Sequence, residues 1–87
     1  MTSLEAKHEL IRSLEIVESI IEKEINNHSE IDYKEWFNKL EVMIKSHVDG
    51  LKRLCFDNGE IHLFQKMSDD ILGYWNSIKN KATEMIQ

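Results

Sequence analysis

Apolar residues recur along this chain at spacings of three and four. Set at 100° intervals, Leu4, Leu10, Ile11, Leu14, Val17, Ile21 and Ile25 fall within an arc of about 140°. The spacing predicts a helix with one core-facing stripe. Its start is marked by Thr2-x-x-Glu5, a capping box in which the Thr2 hydroxyl accepts from an orphan amide and Glu5 reaches back. Its end is expected at Asn26-Asn27-His28, whose short polar side chains compete for backbone hydrogen bonds. Ile16 and Ile20 form a second, narrower stripe on roughly the opposite side.

Ser29 is the next candidate cap, with Glu30 and Asp32 in the first turn where the helix dipole favours acids. Tyr33, Trp36, Phe37, Leu40, Met43, Ile44, His47, Val48, Leu51, Leu54 and Cys55 then share another arc of about 140°. The phase survives Gly50, so one helix is expected to run through it, at about 1 kcal/mol relative to alanine. Asp57-Asn58-Gly59 should end that helix, with Gly59 as a left-handed cap. Phe64, Met67, Ile71, Trp75, Ile78, Ala82, Met85 and Ile86 line one face of a third helix, with Leu72 and Tyr74 at its edges and Lys79 and Lys81 near its end.

A rival reading takes Asn58-Gly59 as the turn of a short hairpin over residues 54–64, with Ser68-Asp69-Asp70 opening the last helix. An isolated hairpin is marginal in water and residues 51–56 do not alternate, so helix is preferred. The expected fold is all-α: one domain, residues 1–87, of three antiparallel helices joined by short loops.

Composition agrees. The 87 residues include no proline and three glycines, where an average chain would carry roughly four and six. Gly73 falls near the level of Ile44, where a small residue would let two helices approach. No apolar run nears the ~18–20 residues of a membrane span. The N-terminus has no basic and apolar leader, and a lone cysteine suits a reducing compartment, so the cytoplasm is the expected location. Nine of the 11 basic residues are lysine, and isoleucine and asparagine are frequent, the bias of AT-rich coding in a low-GC bacterium or a phage.

The net charge is −5, divided as −3 over residues 1–28, 0 over 29–56 and −2 over 57–87. With no basic segment, binding to duplex nucleic acid is disfavoured, because phosphate neutralisation supplies most of such affinity.

Candidate chemistry is sparse. His8, His28, His47 and His62 include no pair at metal-ligand spacing. Glu5-x-x-His8 has the spacing used by di-iron bundles but occurs once, where such sites need it twice with two further glutamates. Neither a metal nor a cofactor is expected. His47 falls near the middle of its helix's apolar arc and level with Asp70, a pairing that predicts a structural hydrogen bond. Cys55 is two turns from it and reads as an inert buried thiol. Without a nucleophile beside His47, the chain is not expected to be an enzyme.

Glu18 lies within the first helix's apolar stripe, where an unpaired carboxylate is costly. It is expected either to escape to solvent at a rim or to fix register in an interface. Trp36 and Tyr74, at the edges of their arcs, are candidate interface anchors. Lys34, Lys45 and Lys52 align on one flank of the second helix, interleaved with Glu41 and Asp49.

Two large aliphatics opposite the core, Ile16 and Ile20, would leave apolar surface that a small monomer avoids. A fourth helix would cover them, and three are predicted. The expectation is therefore a non-enzymatic, acidic helical interaction protein of the inhibitor, immunity-type or adaptor kind. It would bind another protein and complete a larger bundle by self-association as a homo-oligomer, with Ile16, Glu18, Ile20, Trp36 and Tyr74 as interface residues. The alternative is a helical oligomer sequestering a small anionic ligand such as a nucleotide between subunits, through Tyr33, Lys34, Trp36, Lys45 and Lys52.

Overall fold

The computed structural model describes residues 2–27 and 32–86. It contains α1 (Ser3–Asn27), α2 (Tyr33–Asp57) and α3 (Ile61–Ile86), and no strand among the described residues. Consecutive helices run antiparallel, and the bundle is a rod of 46 × 18 × 17 Å.

The starts of α1 and α2 each have a polar reason. Thr2 Oγ1 accepts from the Glu5 amide at 3.1 Å and donates to the Glu5 carboxylate at 3.2 Å, the expected capping box in side-chain form. Asp32 is the cap of α2, its carboxylate accepting from the Glu35 amide at 3.2 Å. The proposed Ser29 cap, with His28 and Glu30, lies outside the described residues.

The α2–α3 turn decides between helix and hairpin. Gly59 has φ +71°, its amide donates to the Phe56 carbonyl at 3.1 Å, and the Glu60 amide donates to the Cys55 carbonyl at 2.7 Å. This is a Schellman closure, which terminates a helix. The hairpin over 54–64 is thus replaced by a helix end and a helix start. Ser68-Asp69-Asp70 is interior to α3, and Ser68 is buried there.

The core is built from Leu14 and Ile21 of α1, Ile44, Val48, Leu51 and Cys55 of α2, and Met67, Ile71, Trp75, Ile78 and Ala82 of α3. Its polar accessory is Glu41. Trp75 is 1% exposed, so its indole N–H needs an acceptor inside the bundle. Nε1 donates to Glu41 Oε1 at 3.2 Å, and Lys79 Nζ donates to the same oxygen at 2.7 Å while lying 5.7 Å from the Trp75 ring centre. Phe37 meets Trp75 edge-on, ring centres 6.3 Å apart.

Several residues assigned to core stripes are outside it. Leu4 is 52% exposed, because Ser3 and Lys7 occupy the inward positions of the first turns: Ser3 is buried against Glu60 (3.1 Å) and Lys7 pairs with Asp70 (2.8 Å). Met85 and Ile86, at the last turn of α3, are also exposed. Gly73 is exposed and a Cβ there would meet nothing within 4 Å, so it mediates no close approach of helices. Gly50 lies within α2, as expected, and its surroundings are equally open.

Candidate interaction surface

The three seams of the bundle are closed unequally. The α1–α3 seam is tied by Lys7–Asp70 and by Glu22–Lys81 at 2.7 Å, and the α2–α3 seam by the Glu41 cluster. Between α1 and α2 lies an open groove of about 350 Å³ walled by Ala6, Leu10, Ser13, His47, Gly50 and Leu54. A second recess of about 100 Å³ continues it past Val17, Leu40 and Met43 down to Ile71. The cause is residue size. Ala6, Ser13 and Gly50 face each other where a closed seam would carry leucines or isoleucines.

Two apolar residues extend this groove outward along α1. Ile20 is 48% exposed and Ile16 58% exposed, while Met43 on the opposite wall is 55% exposed. Ile20 follows Ser13 by seven residues and so lies on the same stripe, with Ile16 one turn before it. Ile16 and Ile20 thus stand exposed on the outer side of α1, beside the groove. Phe56, Ile61 and Leu63 are a separate exposed group at the α2–α3 end.

The other candidate interface residues are engaged inside the chain. Tyr74 donates its hydroxyl to Glu18 Oε1 at 3.2 Å, closing the α1–α3 seam on the side away from Ile16. Glu18 is therefore not a free rim carboxylate but is bonded within its own chain. Burial, and after it the charge of Glu18, pushes the Tyr74 phenol above its usual ionisation range. Glu22 beside Lys81 raises that ammonium's pKa. Trp36 is half-buried, stacked with Phe37 at 6.0 Å and tilted against Tyr33 at 6.3 Å, at the upper end of the α1–α2 seam.

His47 and Asp70 do not pair. The level was right and the direction was not: His47 turns toward α1 and lines the open groove, where it is exposed. Asp70 is held by Lys7, whose hydrogen bond keeps its carboxyl below the usual range. Ser13 shares the groove with His47, yet its hydroxyl donates to the Glu9 backbone carbonyl at 3.0 Å. Among the described residues no three His, Cys, Asp or Glu side chains gather as a metal would need. Cys55 is fully buried.

Within one chain the residues of the anion-binding set do not come together. Lys52 lies over the Phe64 ring of α3, 5.9 Å from its centre, and Lys34 and Lys45 share that flank. Trp36 lies about 160° away around the helix, toward α1.

Sequence reasoning missed Ser3 and Glu41. Glu41 was legible in part, because a buried tryptophan demands an acceptor and Glu41 borders its helix's apolar arc. The hydrogen bonds from Lys79 and then Trp75 hold its carboxyl below the usual value. Ser3 gave no such signal. Among the described residues no helix is long and apolar enough to cross a membrane. No protein-family model matches the chain, and no curated protein or solved structure matches it significantly.

Proposed function

We propose that this chain is a non-enzymatic protein-interaction module, of the inhibitor, immunity-type or adaptor kind, that presents its α1–α2 face to a helical surface of another polypeptide. One observation carries the reading. The α1–α2 seam is an apolar groove of about 350 Å³, bordered by exposed Ile16, Ile20 and Met43, on a chain small enough that such surface is a substantial liability. Small residues along both walls leave room for side chains from outside, the geometry by which an amphipathic helix lays apolar anchors into a groove.

Charge supports a protein partner over a polyanion. The chain carries −5 overall, and its lysine flank lies on the α3 side, away from the groove. The groove walls contribute one carboxylate, Glu9, and otherwise apolar or neutral side chains.

A photo-activated crosslinking residue placed at Ile20 or at Met43, in cells making the protein, tests the reading. Protein adducts are expected from both positions and not from Asn76, which is exposed on α3. Adducts from Ile20 and Met43 no more abundant than from Asn76 would overturn it.

A further inference from the structure

We propose that the occupant of the α1–α2 face is a second copy of this chain, docked face to face about a two-fold axis that crosses α1 at Ile16 and α2 at Ile44. The inference rests on the reading of this face as a docking surface and names its partner.

The first observation is level. Ser13 and Val17 of α1 line one recess with Met43, Ile44 and His47 of α2, which puts Ile16 and Ile44 within about a turn of one height along the rod. An axis perpendicular to the helices at that height sets α1 antiparallel to the partner subunit's α1, and α2 antiparallel to its α2. Residues equidistant from the axis on opposite sides then face one another.

The second observation is charge. Glu9 lies seven residues before Ile16 and Lys23 seven after it. Seven residues return to within about 20° of the same helix face and advance about 10 Å. Glu9 of each protomer therefore meets Lys23 of its partner, with Ile16 against Ile16 between the two pairs. Glu9 and Lys23 are exposed and form no ion pair with other described residues of their own chain.

The third observation is size. A face 46 Å long and 18 Å wide has a footprint of about 800 Å², the area that each partner contributes to a standard stable interface. Ser13 provides a recess, and the partner's Ile20, which the axis brings within one residue of its level, provides a side chain to fill it, on both copies. A two-fold contact of this kind closes on itself and leaves no strip exposed for further growth.

The full chain at about 100 μM, well above a micromolar dissociation constant, should run in light scattering at twice 10.3 kDa. Glu9→Lys and Lys23→Glu should each weaken the dimer about tenfold, since each places like charges at two symmetric positions. The double variant Glu9→Lys/Lys23→Glu should recover wild-type affinity, which a merely structural role would not give. Ile16→Cys should form a disulfide with its own copy under mild oxidation, because only a residue at the axis faces itself, while buried Cys55 stays reduced.

A monomer at that concentration overturns the proposal. So does a dimer in which the charge reversals do not rescue one another, or in which Ile16→Cys bridges only to a Met43→Cys copy, which would mean that α1 packs on the partner's α2. Circular dichroism checks that each variant retains its helices. If the chain is monomeric while Ile20 and Met43 still crosslink to other proteins, this proposal fails and the docking reading stands.

Discussion

Glycine-to-alanine substitution at positions 50 and 59 should change stability in opposite directions, although the chemical change is identical. Gly50 lies inside α2 and a Cβ there meets nothing within 4 Å. Alanine should therefore return the helical penalty of glycine in full, about 1 kcal/mol. Gly59 is equally open, but its φ of +71° is the left-handed conformation of the Schellman closure. A side chain costs about 1–2 kcal/mol there, partly offset by a less flexible unfolded chain, so Gly59→Ala should lose about 1 kcal/mol. With unfolding entropy of about 2.1 cal/mol/K per residue, the 87-residue chain changes its Tm by about 5 °C per kcal/mol. The two variants should melt about 10 °C apart, one on each side of the parent. Thermal and urea denaturation in an Ile16→Glu background, where association does not contribute, is the assay. A Gly50→Ala protein no more stable than its parent would refute the reasoning, because either the helix would not be continuous at Gly50 or the groove beside it would not be open.

Glu41→Gln should cost about 1–3 kcal/mol, since Trp75 and Lys79 lose a charged acceptor in a largely buried position. The folded-state pKa of Glu41 is depressed, so its contribution is present above the usual carboxyl pKa and fades as pH falls through the lower folded value. Denaturation between about pH 6 and 3 should show a slope that Glu41→Gln reduces. Tyr74→Phe should destabilise by about 0.5–1.5 kcal/mol through loss of the bond to Glu18. In a Tyr33→Phe protein, ultraviolet titration should place the Tyr74 phenol above its ordinary value of 10.0. His47→Ala should change stability by less than about 0.5 kcal/mol, as for an exposed side chain without a structural bond. A larger loss on urea denaturation would restore His47 to the core.

How much of this was legible in advance differs by residue. Helix positions followed from spacing, and the Asn58-Gly59 break from the glycine's need for positive φ, because both are properties of a few consecutive residues. The directions of single side chains were less secure. Leu4, Met43 and His47 lie inside apolar arcs and are exposed, since an arc of 140° is wider than the seam that a three-helix bundle closes. Glu18 stands out inside an apolar stripe and Tyr74 at the edge of another, but that they bond each other requires knowing that α1 and α3 run parallel at that height. Ile16 and Ile20 were legible as exposed because they stand opposite their helix's core stripe, a purely local fact.

The sequence by itself determined three long helices, their order and the identity of most core residues, because helical periodicity, caps and breakers act within one or two turns. Only the tertiary structure decided that the α1–α2 seam stays open while the other two close. That outcome depends on which small residues meet across helices far apart in sequence, Ala6 and Ser13 against Gly50, and on polar ties that draw α1 (Lys7–Asp70, Glu22–Lys81) and α2 (Glu41 with Trp75 and Lys79) each onto α3. Packing of this kind is a property of pairs of surfaces, and no single stretch of the chain contains it.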